Sequence, residues 1–273
     1  MLPKRIITFA VFSAALWAQW PAFKTPGAPR TPNGEIDLTA PAPRTTDGRP
    51  DLSGVWDRAM PPGVPPVQAG EFGGPPPARP SPFNNLPSML PDGLPFLPWA
   101  AELRRERFAE NSKDNPDVHC LPLHPVELHT HPLPRKVIQT PDLVLILNEV
   151  NSGIRQIFTD GRPLPADDVQ PWWYGYSTGK WEGDTLVVQS TGFHELAGWL
   201  DYEGTPITST GRVTESIRRL NYGTLEIQIT VDDPKTFTKP WTVTLNQRLM
   251  PDTELIEFIC QENNRSEGHL VGR

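Results

Sequence analysis

The chain has 273 residues, a formal charge of −7 and 34 prolines. That length suits one domain with a long irregular segment, and an acidic chain without a basic stripe excludes nucleic acid as an expected partner and disfavours anionic membrane surfaces. Of the prolines, 21 lie in residues 1–100 and only four follow residue 171. Each proline removes a ladder donor and fixes φ, so the regular core belongs to the second half of the chain.

Residues 1–18 read as a signal peptide: Lys4 and Arg5 precede an apolar run from Ile6 to Trp17 that is too short to span a bilayer, with cleavage after Ala18. The alternative for this run is a buried or peripheral helix. No later stretch is apolar enough to cross a membrane, so an exported, periplasmic or secreted protein without an integral membrane segment is expected. Residues 19–135 form a proline-rich arm and loop. Within it, Ala28-Pro29-Arg30-Thr31-Pro32-Asn33-Gly34 with Asp37-Leu38 recurs as Ala42-Pro43-Arg44-Thr45-Thr46-Asp47-Gly48 with Asp51-Leu52. Two copies are too few for a solenoid; each reads as an extended arm with an Asn-Gly or Asp-Gly turn, packed outside the folded domain.

Gly54-Val55-Trp56 opens a first strand near residues 53–57. Residues 60–98 lack periodicity and read as a loop or polyproline-like wrap. A helix is predicted near 99–111, with Trp99, Leu103 and Phe108 near one face. From residue 136 to 273 the period becomes two, as in an antiparallel sheet. Leu143–Leu147 is continuously apolar, Ile154–Phe158 follows a tight turn, and Tyr174–Trp181 and Thr185–Phe193 flank Glu182-Gly183-Asp184. Further strands fall at Val213–Arg219, Leu225–Asp232 and Trp241–Leu249, with a last one through Ile256, Phe258 and Cys260. Short connections between so many strands favour a β-meander rolled into a barrel, with a β-sandwich as the alternative.

From Cys120 to Arg273 the chain resembles a large group of uncharacterised secreted proteins of soil bacteria, acidobacteria above all. The resemblance rests on His129-Thr-His-Pro-Leu-Pro-Arg-Lys, Ile138-Gln-Thr-Pro, Arg155-Gln-Ile-Phe-Thr-Asp-Gly-Arg-Pro and Gly179-Lys-Trp-Glu-Gly-Asp-Thr-Leu-Val-Val. It implies export and a β domain, and implies no activity. Gly54-Val55-Trp56 before a meander also resembles the start of a lipocalin-like barrel, an analogy of architecture only.

Export gives the two cysteines a role: Cys120 and Cys260 are expected to pair as a disulfide, with two separate buried thiols as the alternative. Trp172, Trp173, Tyr174, Tyr176 and Trp181 crowd one strand and its approach. On strict alternation Tyr174 and Tyr176 share one face, Trp173 and Trp181 the other. Such rings suit a flat organic ligand or a sugar, with Arg162 in Asp160-Gly161-Arg162-Pro163 available to an anionic group; core packing and a plain turn are the alternatives. His119, His124, His129 and His131 cluster within a short span. In an extended segment His129 and His131 would point the same way and suit zinc or another divalent metal, with Glu262 or His194 as a third ligand; hydrogen bonding of a polar loop is the alternative.

Two function classes follow. One is a binding protein for a small organic or carbohydrate-derived molecule at Trp172, Trp173, Tyr174, Tyr176 and Arg162. The other is a lyase, isomerase or hydrolase on carbohydrate-type substrates, with His129, His131 and Tyr176 as catalytic groups. A structural envelope protein is a third reading. No phosphate loop, dinucleotide fingerprint or nucleophile elbow occurs in the sequence.

Overall fold

The computed structural model describes residues 23–59, 86–166 and 170–262. The predicted signal peptide and most of the proline- and glycine-rich stretch from 60 onward lie outside the described residues. The fold is a closed nine-stranded β-barrel in which every strand pairs with its neighbours in sequence. The strands are β1 (Gly54–Arg58), β2 (Arg135–Gln139), β3 (Leu143–Asn148), β4 (Ile154–Phe158), β5 (Tyr176–Glu182), β6 (Thr185–Thr191), β7 (Arg212–Asn221), β8 (Thr224–Asp232) and β9 (Trp241–Leu249). β1 closes the ring: Trp56 faces Arg135 of β2 on one side and Leu249 of β9 on the other. Closure leaves no free ladder of N–H and C=O groups to template aggregation.

The alternation of the sequence becomes inside and outside. Leu225, Ile227, Ile229 and Val231 of β8 and Val243, Leu245 and Leu249 of β9 are buried in one apolar core with Leu186, Val188, Val213, Ile217 and Trp56. The indole of Trp56 donates to Leu52 O (3.0 Å) and lies under the Arg219 guanidinium.

Three expectations need correction. The pairing of β4 with β5 is parallel, through Ile157–Ser177 and Phe158–Thr178, whereas every other pair is antiparallel. Parallel neighbours require the chain to travel back to the starting end, and the described parts of that return, residues 159–166 and 170–175, lie along the outside of the wall. Secondly, Ile256, Phe258 and Cys260 form no strand, because β1 already occupies the free edge of β9. Thirdly, the histidine-rich segment is not extended: Pro125–Thr130 is a short helix, α2, following α1 (Pro98–Ala109).

The two ends of the barrel are closed differently. At the end holding the β5–β6 and β7–β8 turns, both copies of the duplicated arm take the same local form. Thr31 N donates to Glu35 O and Thr45 N to Arg49 O, while Gly34 and Gly48 both adopt φ +83°, a left-handed turn that favours glycine. Arg30 then bonds Gly34 O and Asp252, and Arg44 bonds Gly48 O and Asp184. One repeated motif thus docks once on the β5–β6 turn and once on the turn that follows β9.

At the other end α2 plugs the barrel. A helix leaves its last carbonyls without intrahelical partners, and three side chains of the wall supply them. Arg135 donates to Leu128 O (2.6 Å), Gln247 to His129 O (3.2 Å) and Arg58 to Thr130 O (3.3 Å). Cys120 and Cys260 form a disulfide with a Cα–Cα distance of 5.5 Å, tying the approach to α2 to the chain beyond β9.

Candidate functional site

Two chemically distinct places emerge, one inside the wall and one outside it. Inside, α2 drives His129 into the polar half of the barrel. Its Nε2 lies 2.6 Å from Glu215 Oε1, and its Nδ1 lies 2.7 Å from Arg135 Nη1. An arginine only donates, so Nδ1 accepts and the proton resides on Nε2, which donates to Glu215. Arg155 grips the same carboxylate, with Nη1 3.0 Å from Oε1 and Nη2 on Oε2, and Nη2 also reaches Ser190 Oγ (3.0 Å). Burial alone would raise the Glu215 pKa, yet the Arg155 charge and the bonds from His129 and Arg155 outweigh it and hold the carboxyl below its ordinary range. Burial lowers His129, against the pull of Glu215. His124, buried against Phe193 at 4.3 Å between ring centres, falls to about 3 through desolvation and the nearby Arg155 charge. Both imidazoles are therefore neutral, and Glu215 and Arg155 are charged and sealed from solvent at 0% and 2% exposure.

His131, just past the end of α2, turns away from this cluster and pairs with Asp117 at 3.5 Å. The helix is the reason: two positions apart on a helix lie on different faces, whereas two apart on a strand share one. Glu262 sits beyond the disulfide, its N–H bonded to Ile259 O. Among the described residues no three His, Cys, Asp or Glu side chains gather as metal ligands. The expected pairing of His129 with His131 around a metal is thus not assembled by the fold.

Outside, Pro165 and residues 170–175 of the returning chain line a cleft of about 780 Å³ with the outer face of β4. Ile154, Gln156 and Phe158 supply the floor, since their neighbours Arg155 and Ile157 point inward. Trp172 is fixed by its backbone, its N–H donating to Gly192 O (2.8 Å) and its carbonyl accepting from His194 N (2.9 Å). Its ring stands edge-on to Tyr176, at 5.6 Å and 85°, and Tyr176 leans on Phe158 at 5.2 Å. Trp173 stacks on His194 at 4.4 Å and 12°. Arg162 lies over Phe158 at 3.9 Å, bonds the Tyr176 hydroxyl at 3.4 Å and is held twice over by Asp160.

Tyr174 and Tyr176 border the cleft on either side of Gly175. That residue has φ +66°, and a Cβ there would sit 2.4 Å from the Phe193 ring, so only glycine fits. The turn lays Tyr174 over Gly153, where it packs on the small core of Leu123, Leu128 and Val150 while still bordering the cleft, and burial lifts its pKa to about 12. The fold therefore brings Trp172, Trp173, Tyr174, Tyr176 and Arg162 around one cleft, and keeps His129 on the opposite side of the wall from Tyr176. Sequence reasoning missed Phe158, Ile154 and Gln156 as its floor, and Arg155 and Glu215 as the inner ion pair. Both charged residues sit at inward parity, Arg155 beside Ile157 by two and Glu215 between Val213 and Ile217, and that parity was the available signal.

No protein-family model, curated protein or solved structure matches the chain.

Proposed function

We propose that this protein is an exported binding protein that holds a small organic molecule in the cleft outside the β4–β5 seam. The carrying observation is a half-exposed aromatic wall, with Trp172 at 44% exposure, in a cleft of ligand size, while the barrel interior is filled by its own aliphatic side chains and by the Arg155–Glu215–His129 network. A binding protein needs a surface where apolar area is left for the ligand to cover, and the cleft offers it. The Cys120–Cys260 bond supports an oxidising compartment.

The test uses N-phenyl-1-naphthylamine as an uncharged apolar aromatic probe of the cleft, followed by its fluorescence and by quenching of tryptophan. Saturable binding to the full chain, lost in Trp172→Ala and Tyr176→Ala variants with unchanged unfolding midpoints, is expected. Equal binding by Trp172→Ala would refute the assignment of the cleft.

A further inference from the structure

We infer that the ligand of this cleft is a neutral oligosaccharide, a specification that rests on the binding role proposed above. Three features of the lining carry it.

The rings form a single wall. Trp172 is perpendicular to Tyr176, Phe158 is tilted against Tyr176 by 31°, and one face of Trp173 is already covered by His194. A flat arene gains most between parallel rings, and no such slot exists among these. A sugar needs only one aromatic face, against which its axial C–H groups pack, while its equatorial hydroxyls project sideways to polar groups.

Among the described residues of the lining there is no Asp, Glu, Lys or Arg. Arg162 at the rim is neutralised by Asp160 through Nε and Nη2 bonds of 2.6–3.0 Å. An anionic ligand would have to break that pair to find a counter-charge.

The polar groups that remain are neutral and suit hydroxyls. The amides of Gln156 and Gln170 both donate and accept, as does the Tyr176 hydroxyl. His194 Nδ1 accepts from Leu196 N (3.2 Å), so in the neutral ring the proton lies on Nε2, leaving a donor beside the cleft. A hydroxyl is likewise both donor and acceptor, so each of these groups finds a complementary partner on a sugar edge.

The experiment is displacement of the dye, with calorimetry, using the full chain with its disulfide intact. The ligands are cellotetraose, xylotetraose, mannotetraose and chitotetraose, with tetragalacturonate as the charged sugar and ferulate as the planar aromatic acid. The expected result is saturable binding of at least one neutral tetrasaccharide, weakened about tenfold or more by Trp172→Ala and also weakened by Gln156→Ala, with tetragalacturonate and ferulate ineffective. Dye binding that depends on Trp172 but is displaced by ferulate and by no neutral tetrasaccharide would overturn the saccharide assignment and leave the cleft intact. Absence of any Trp172-dependent binding would remove both readings together.

Discussion

Removal of the Glu215 carboxylate is the sharpest test of how the polar half of the barrel is held. Glu215 is fully buried and satisfies two donors at once, the Arg155 guanidinium and His129 Nε2. Replacing it with leucine leaves Arg155, at 2% exposure, as a buried cation whose remaining partners are the Ser177 and Ser190 hydroxyls. Breaking a buried pair in this way costs about 3–5 kcal/mol, a large share of the roughly 5–15 kcal/mol that hold a typical domain together. Replacing both partners, as in Glu215→Leu with Arg155→Met, removes the stranded charge along with the bond. Ser177 and Ser190 still bond each other at 2.8 Å, so the double variant is expected to recover most of the loss, to within about 2 kcal/mol of the wild type. Urea unfolding at neutral pH, with the disulfide intact and the m-value checked for constancy, gives the four corners of the cycle. The pH dependence follows from the sign of the shift. Folding holds Glu215 below its ordinary pKa, so its contribution is fully present above about pH 4.3, the unfolded value, and is lost as acid titrates it in the folded state. The wild type should therefore lose more stability below pH 4 than the double variant. A Glu215→Leu cost under about 1 kcal/mol, or one no greater than that of the double variant, would refute the view that a sealed ion pair organises this end of the barrel.

Other predictions concern separate parts of the fold. Glu127 is buried beside Asn115 Nδ2 (2.7 Å) with its pKa raised by desolvation to about 8; the raised value stabilises below the unfolded pKa near 4.3 and is lost as pH rises toward 8. Glu127→Gln keeps the Asn115 bond and should flatten that decline, so the stability of the variant relative to wild type should rise from pH 5 to pH 8 in urea titrations. Cys120→Ser opens a loop spanning 140 positions, which the chain-entropy account values at about 5 kcal/mol; a loss of about 2–5 kcal/mol is expected, and a loss below 1 would show that the barrel holds its tail without the bond. Gly175→Ala places a methyl group against Phe193 at a left-handed φ and should cost about 1–3 kcal/mol while reducing dye binding at the cleft, read by unfolding and by fluorescence.

How far the sequence reveals the fold depends on what each element uses to form. The strands from β2 onward are visible because alternation of apolar and polar residues is the same property that buries one face of each strand. β1 is visible for a narrower reason, that Trp56 and Val55 interrupt a proline-rich background. The helix α2 left no such trace. Six residues make too few turns for a period of 3.6 to register, and an isolated helix of that length is unstable. It exists because Arg135 at the start of the next strand, and Gln247 and Arg58 of distant strands, bond its last carbonyls, a cause that pattern reading cannot reach. The parallel seam was hidden for a related reason. Strand direction leaves no mark in the residues of β4 and β5, and only the length of 159–175, longer than a hairpin needs, points to a return across the wall.

The candidate site was legible as a composition and illegible as a geometry, and Gly175 explains the difference. Counting alternately places Tyr174 with Tyr176, and both border the cleft, but it places Trp173 on the opposite face, whereas the turn that ends at Gly175 with its positive φ leaves Trp172 and Trp173 on the cleft as well. A glycine between two tyrosines at the mouth of a strand is therefore the residue at which alternation should be stopped and restarted. The inner network teaches the complementary lesson. Arg155 and Glu215 occupy positions that their aliphatic neighbours mark as inward, and a buried charge requires a partner; an inward arginine and an inward glutamate on different strands of one barrel imply each other. Once paired, they occupy the polar half of the barrel, and His129, which looked free in the sequence, is consumed in holding them. The ion pair and its histidine are thus accounted for by the barrel's own structure, and the proposed binding role rests on the exposed aromatic rings beside the parallel seam.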